Sequence, residues 1–168
     1  NVFGQHHEMT HQELDPLSDP HHHRHPLRVA FLLGHGMVPD AEGQGVYFIP
    51  TWGLDVDLHL SDSWSLGWHS DLELENYVVI DGSGESVELE TPLVTTLDLF
   101  YRLSHNVLIG VGPGITREQG ELKSLIRLGL EAEVPLNDRW EWTPTFYLDR
   151  RLDGHTVWTL AIGVAHYL

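Results

Sequence analysis

The chain ends in "WTLAIGVAHYL", Trp158 to Leu168. Trp158, Leu160, Ile162, Val164, His166 and Leu168 fall on one parity, with Thr159, Ala161, Gly163, Ala165 and Tyr167 on the other. A period of two puts successive side chains on opposite faces of a strand. Chain ends usually fray unless something ties them down. An alternation that runs to the last residue therefore predicts a terminal strand held in a sheet. What each face of that sheet meets decides the fold.

The same texture continues upstream. Alternating runs cover Leu27–Met37, Val46–Leu60, Trp64–Val79, Val87–Leu103, Val107–Arg117, Glu121–Val134, Arg139–Arg150 and Thr156–Leu168, eight in all. Trp64, Leu66, Trp68, Leu72 and Leu74 share one face, and so do Ile126, Leu128, Leu130, Ala132 and Val134. A helix needs recurrence at three and four residues, which these segments lack, so they are read as strands. Tight turns at "SDS" (61–63), "SHN" (104–106) and "PLND" (135–138) alternate with the longer links "VPDAEGQG", "IDGSGES", "EQG" and "RLDGH". Short turns at one end and longer loops at the other describe an up-and-down antiparallel meander. Both ends of the 27–168 region then lie on the short-turn side.

Composition narrows the class. The length, 168 residues, suits one domain, which is read as residues 27–168, and 25 Asp+Glu against 9 Lys+Arg argue against nucleic acid as a partner. There is no cysteine for a disulfide or a thiolate metal site. No run approaches the roughly 18 apolar residues of a transmembrane helix, but membrane-spanning strands give a much weaker signal per segment. The first residues, "NVFGQ", carry no start methionine, which suggests a mature chain whose export signal has been removed.

The opposite parity says which face is inside. It carries Arg28 in the first run; Thr51, Gly53, Asp55, Asp57 and His59 in the second; and Gly67, His69, Asp71 and Glu73 in the third. Asp98 and Arg102 follow in the fourth, and Lys123, Arg127 and Glu131 in the sixth. A soluble, lipocalin-like barrel would turn these charges to water. Yet the interior of an eight-stranded barrel is only just wide enough for side chains to fill it. A bulky set that includes all six tryptophans would overfill that space, whereas mixed charges and glycines fit it. The expectation is an inverted, all-β closed antiparallel transmembrane barrel of eight strands. Its apolar residues face lipid, and several of its tryptophans sit near strand ends as at membrane interfaces.

On this pattern the chain resembles the small eight-stranded outer-membrane barrels of bacteria. Leu160, Ile162, Val164 and Leu168 carry the resemblance, although such barrels usually end in Phe with an aromatic two residues earlier, where this chain has Leu168 and His166. The resemblance implies a bacterial outer-membrane location, periplasmic termini, surrounding lipid, and the barrel-assembly machinery as a partner during biogenesis. The strand "VGPGIT" (111–116), with a His-rich leader before the barrel, is similar more loosely to uncharacterised outer-membrane proteins of the Bacteroidetes type.

Residues 1–26, "NVFGQHHEMTHQELDPLSDPHHHRHP", have neither period and are expected to be a disordered periplasmic tail. His6, His7 and His11 form one cluster, and His21, His22, His23 and His25 a second. Imidazoles on such a chain suit loose, exchangeable zinc or copper. That points to metal buffering or an accessory role in metal uptake. The alternative is a structural subunit that docks on a larger outer-membrane complex. Among the inward charges, His59 and His69 lie near Asp55, Asp57, Asp71, Glu73 and Glu75. They could hold a cation, but pairing of the acids with Arg28, Arg102, Lys123, Arg127 and Arg151 is the favoured reading, since buried charges persist when paired. That reading predicts a filled lumen. A barrel enzyme would need a loop-side pair such as His155 and Ser83, and no nucleophile motif accompanies it. The chain is not read as an enzyme.

Overall fold

The structure, a computed structural model, describes residues 26–39, 45–80, 84, 86–89, 91–118 and 120–168. Its strands are β1 (Leu27–Pro39), β2 (Val46–His59), β3 (Trp64–Glu73), β4 (Tyr77–Ile80), β5 (Ser86–Leu89), β6 (Leu93–Ser104), β7 (Val107–Glu118), β8 (Glu121–Ala132), β9 (Val134–Pro135), β10 (Trp140–Arg151) and β11 (Thr156–Tyr167). Eight long strands pair in the order β11-β1-β2-β3-β6-β7-β8-β10, and β10 pairs with β11 to close the ring. Every pairing is antiparallel. The terminal alternation meets its partner here: Phe31 opposes Val164, and the Leu168 amide donates to the Leu27 carbonyl at 2.9 Å.

Three of the expected runs are interrupted. Trp64–Val79 divides into β3 and β4, and Val87–Leu103 into β5 and β6. The short β4–β5 hairpin forms a separate two-stranded sheet. The cause lies in the link. Pro92 has no amide for a ladder, and Thr91 takes a positive φ of 44° that breaks the extended chain. The Asn76 side chain accepts the Thr91 amide at 3.2 Å and holds the two sides of the break together. The run ending at Val134 is likewise broken at Glu133, with β9 a two-residue remnant on β10.

The tight turns form as their residues predict. Ser61 Oγ accepts the Trp64 amide at 3.1 Å, and Asn137 Oδ1 accepts those of Arg139 and Trp140 at 3.0 and 3.1 Å. These side chains replace the ladder bonds that the bend costs the backbone.

The two faces separate as the parity requires. All six tryptophans point outward and are 42–51% exposed, among Phe31, Leu54, Leu99, Ile115, Leu128 and Ile162. At the turn end, Trp64 meets Tyr101 at 4.9 Å and Trp140 meets His166 at 4.5 Å. The inner face carries Arg28, Asp55, His69, Asp98, Arg127 and Glu131, each no more than 3% exposed. An apolar layer of Val38, Ile49, Val94, Leu125 and Val157 fills the inner face near the loop end.

Candidate functional site

The lumen is built by β-strand alternation alone: every second residue of eight strands is carried inward. Because opposing strands face one another across it, residues far apart in sequence come within bonding distance. Arg28 on β1 is the clearest case. Its Nη1 lies 2.5 Å from Asp57 on β2, its Nη2 2.5 Å from Glu131 on β8, and its Nε 2.6 Å from Glu141 on β10. Glu131 also accepts the Thr143 hydroxyl at 3.0 Å, and Glu141 that of Tyr167 at 3.1 Å. One guanidinium thus binds three carboxylates from three strands.

A second knot lies deeper. His69, fully buried, places Nε2 3.1 Å from Asp57 and Nδ1 3.5 and 3.8 Å from Asp98 and Asp55. Its ring stacks on Phe100 at 5.3 Å. Room for it comes from Gly67, where an added Cβ would fall 2.5 Å from both His69 Nε2 and Asp57 Oδ1. Thr96 donates to Asp98, and the Tyr147 hydroxyl donates to Asp55 at 3.2 Å. Arg127 grips Asp149 with two bonds of 2.7 and 2.6 Å and lies 2.7 Å from Asp71. Its guanidinium also sits 4.4 Å from the centre of the Tyr147 ring, a cation–π contact.

At the turn-side mouth Arg102 makes a forked pair with Glu133 at 2.6 and 3.2 Å and donates to the carbonyls of Asp62 and His105. His59 stands beside it, its Nε2 3.9 Å from Glu133. At the loop side Glu73 is buried and Arg151 donates to Asp153. In the same loop His155 is held well below the ordinary histidine range, at about 4. Burial is the main cause, with the nearby Arg151 charge adding to it.

Lys123 departs from the expected inward network. It lies at the loop-side rim, 39% exposed, and pairs at 2.9 Å with the exposed Glu121. Its strand begins at Glu121, so a residue this close to the strand end is level with the mouth rather than with the lumen. Conversely, Glu133, Glu141 and Asp149 join the network. Their inward parity was the available signal, but nothing in it names their partners. His6, His7, His11, His21, His22, His23 and His25 lie outside the described residues, as does Ser83. Among the described residues, no group of three or more His, Asp or Glu side chains is arranged to hold a metal ion.

Among the described residues the lumen side chains are closely packed. The voids between Arg28, Phe100 and Glu133, and between Glu73, Leu125 and Arg151, are each about 10 Å3, roughly the least that admits a single water. On the outer wall, a shallow groove of about 590 Å3 lies among Leu33, His35, Pro50, Trp52, Pro144 and Leu160.

Comparison with known proteins finds likeness in shape only. No family model matches the chain, and no curated protein matches it in sequence. Ail, the attachment invasion locus protein of Yersinia pestis, superposes with a TM-score of 0.58 at 12% identity, over 86% of this chain and 99% of that one. The N-terminal β-barrel domain of Pseudomonas aeruginosa OprF gives 0.60 at 10%, over 84% and 97%. The outer membrane protein OprG from the same organism gives 0.58 at 14%, over 86% and 97%. The fold is that of an eight-stranded outer-membrane barrel. At such identities the likeness is one of fold alone.

Proposed function

We propose that this chain is a lipid-embedded bacterial outer-membrane barrel that serves as a closed anchor. In this reading residues 1–26 are a periplasmic tail that loosely holds exchangeable zinc or copper, for metal buffering or as an accessory to metal uptake. The observation that carries the reading is the inverted wall, with charge sealed inside and a continuous apolar belt outside. In water such a belt would be an aggregation surface; in hydrocarbon it is what a spanning barrel must present. A soluble, lipocalin-like barrel needs the opposite arrangement of faces. The barrel-assembly machinery would be its partner in biogenesis, and the turn side, with both barrel ends, would face the periplasm. The narrower likeness to Bacteroidetes-type proteins, on "VGPGIT" and the His-rich leader, fits the same role.

The anchor part rests on the ion-paired lumen and its voids of about 10 Å3. In planar bilayers the purified chain should show little conductance, and large stable channels would overturn the closed lumen. The metal part rests on the seven tail histidines and on imidazole being a ligand for zinc and copper. The full chain should bind Zn2+ and Cu2+ near neutral pH and lose affinity below about pH 6.5, where free imidazole takes up its proton. A second reading, a structural subunit of a larger outer-membrane complex, is favoured by the outer-wall groove beside Trp52 and Pro144. It predicts no metal binding and copurification with a second membrane protein.

A further inference from the structure

The outer wall carries one side chain that does not suit hydrocarbon. On the outward parity of the eight long strands there is no Asp or Glu, and the only basic residues are His35, Arg117, Arg150 and His166. Arg117 and Arg150 each stand one residue from the loop end of their strand, where a long side chain reaches the headgroups. His166 packs on Trp140 near the turn end. His35 is different. It stands four residues inside the loop end of β1, exposed, and its side chain has no partner among the described residues. A neutral imidazole carries one donor and one acceptor, and hydrocarbon meets neither. Ionisable residues at membrane depth are rare for that reason and commonly mark functional sites.

His35 lines the outer-wall groove of about 590 Å3, a volume typical of a small-ligand site. The groove exists because outward side chains there are short. Pro50 faces His35 across the β1–β2 pair and Pro144 faces Ile162, where the next outward places on those two strands hold Trp52 and Trp142. Leu160 faces His35 on one side and Phe146 on the other. Four residues nearer the loop end, Thr156 faces Arg150, about 13 Å along the strand from the His35 row. Arg150 Nη1 donates to the Gly154 carbonyl at 2.7 Å and to the Thr156 hydroxyl at 2.6 Å. These bonds hold the guanidinium without neutralising it, and Asp153 in the same loop is taken by Arg151. A fixed cation thus stands above an apolar groove that has one polar group in its wall.

We infer that this groove binds an anionic phospholipid of the surrounding bilayer. The lipid phosphate pairs with Arg150, one acyl chain lies between Trp52 and Leu160, and His35 donates to an ester carbonyl at the head of that chain. The order of the three features down the wall is the order within the lipid: charge, ester, hydrocarbon. With the strands tilted as a closed barrel requires, about 13 Å along a strand is about 10 Å of depth, which the two side chains close by reaching toward each other. The charge complementarity is one-sided. With no carboxylate on the outward parity, the wall offers Arg150 no competing anion and repels no anionic headgroup. The inference rests on the lipid-embedded reading and gives the groove an occupant other than a protein subunit.

The test uses the full chain in phosphatidylcholine vesicles containing increasing fractions of phosphatidylglycerol with brominated acyl chains. Bromine quenches tryptophan on contact, and brominated phosphatidylcholine is the reference. Phosphatidylglycerol should quench with about fivefold higher apparent affinity, and most of that selective quenching should vanish in Trp52→Phe. Arg150→Gln should remove the preference and His35→Leu should lower it about twofold. Arg117→Gln, on β7 and three strands away from β11, should leave it unchanged. All four substitutions lie on the outer wall and leave the ion-paired lumen intact. A chain that does not enter the vesicles overturns the lipid-embedded reading, and this site with it. A chain that inserts but shows equal affinity for the two lipids leaves that reading standing and overturns the site; the groove then falls to a protein neighbour. A preference lowered as much by Arg117→Gln as by Arg150→Gln is general surface attraction and overturns it too. So does a preference that survives both Trp52→Phe and His35→Leu, because the lipid then sits elsewhere.

Discussion

Arg127 and Leu128 are neighbours in β8 and meet opposite solvents. Arg127 is 1% exposed, locked to Asp149 and Asp71 within the ring; Leu128 is 50% exposed on the outer wall. In a water-soluble protein their places would be exchanged. The difference teaches that this wall is stable only while each face keeps its own kind of partner. A charge inside needs a counter-charge fixed across the lumen, and an apolar side chain outside needs hydrocarbon around it.

The most damaging way to break that arrangement is from inside. Arg28→Met leaves Asp57, Glu131 and Glu141 without their shared guanidinium, and should cost about 3–5 kcal/mol, the usual penalty for stranding buried charge. Urea unfolding in micelles or vesicles would measure it, and a loss below about 1 kcal/mol would mean the knot contributes little. Next comes the outer face. Leu128→Arg sets a cation against hydrocarbon near mid-wall and should cost about 2–4 kcal/mol. Reduced insertion into lipid vesicles would report it. A Leu128→Arg chain that stayed folded and monomeric without detergent would contradict the lipid-facing wall altogether.

Smaller effects sharpen the comparison at the loop end, where an apolar layer lines the inner face beside Glu73 and Arg151. Ile49→Val removes one methylene from the layer with Val38 and Val157, and should cost only about 0.5–1.5 kcal/mol, well under the Arg28 change. Last is a local pH effect at His155. Its folded value near 4 lies below the ordinary 6.5. Between those values the unfolded chain binds a proton that the folded loop does not, so loop stability should fall as pH drops from about 6.5 to about 4 and level off outside that window. An imidazole resonance followed by NMR should titrate near 4, and His155→Gln should remove the slope. Titration near 6.5 would mean that the loop leaves His155 open to water.

Much of the architecture was legible because its signal is local. The parity of Trp64, Leu66 and Trp68 against Gly67 and His69 depends only on a strand's two-residue period, and Ser61 and Asn137 mark turns through bonds to their own backbone. The breaks at Asn76 and Thr91 were harder to see. Apolar residues continue on both sides of them, and a positive φ at a threonine leaves no mark in the alternation.

The sequence by itself determined the eight runs that build the ring, which of their residues share a face, and that the charged face is the one able to fill a narrow ring. Only the tertiary structure decided who meets whom. Arg28 takes Asp57, Glu131 and Glu141 from β2, β8 and β10; Lys123 is left at the rim; His59 ends 3.9 Å from Glu133, too far for a hydrogen bond. The reason is geometric. Alternation sets the side of the wall a residue occupies, but its height in the lumen depends on the stagger of every strand around the closed ring. That stagger fixes which charges fall within bonding distance and which side chain is passed over.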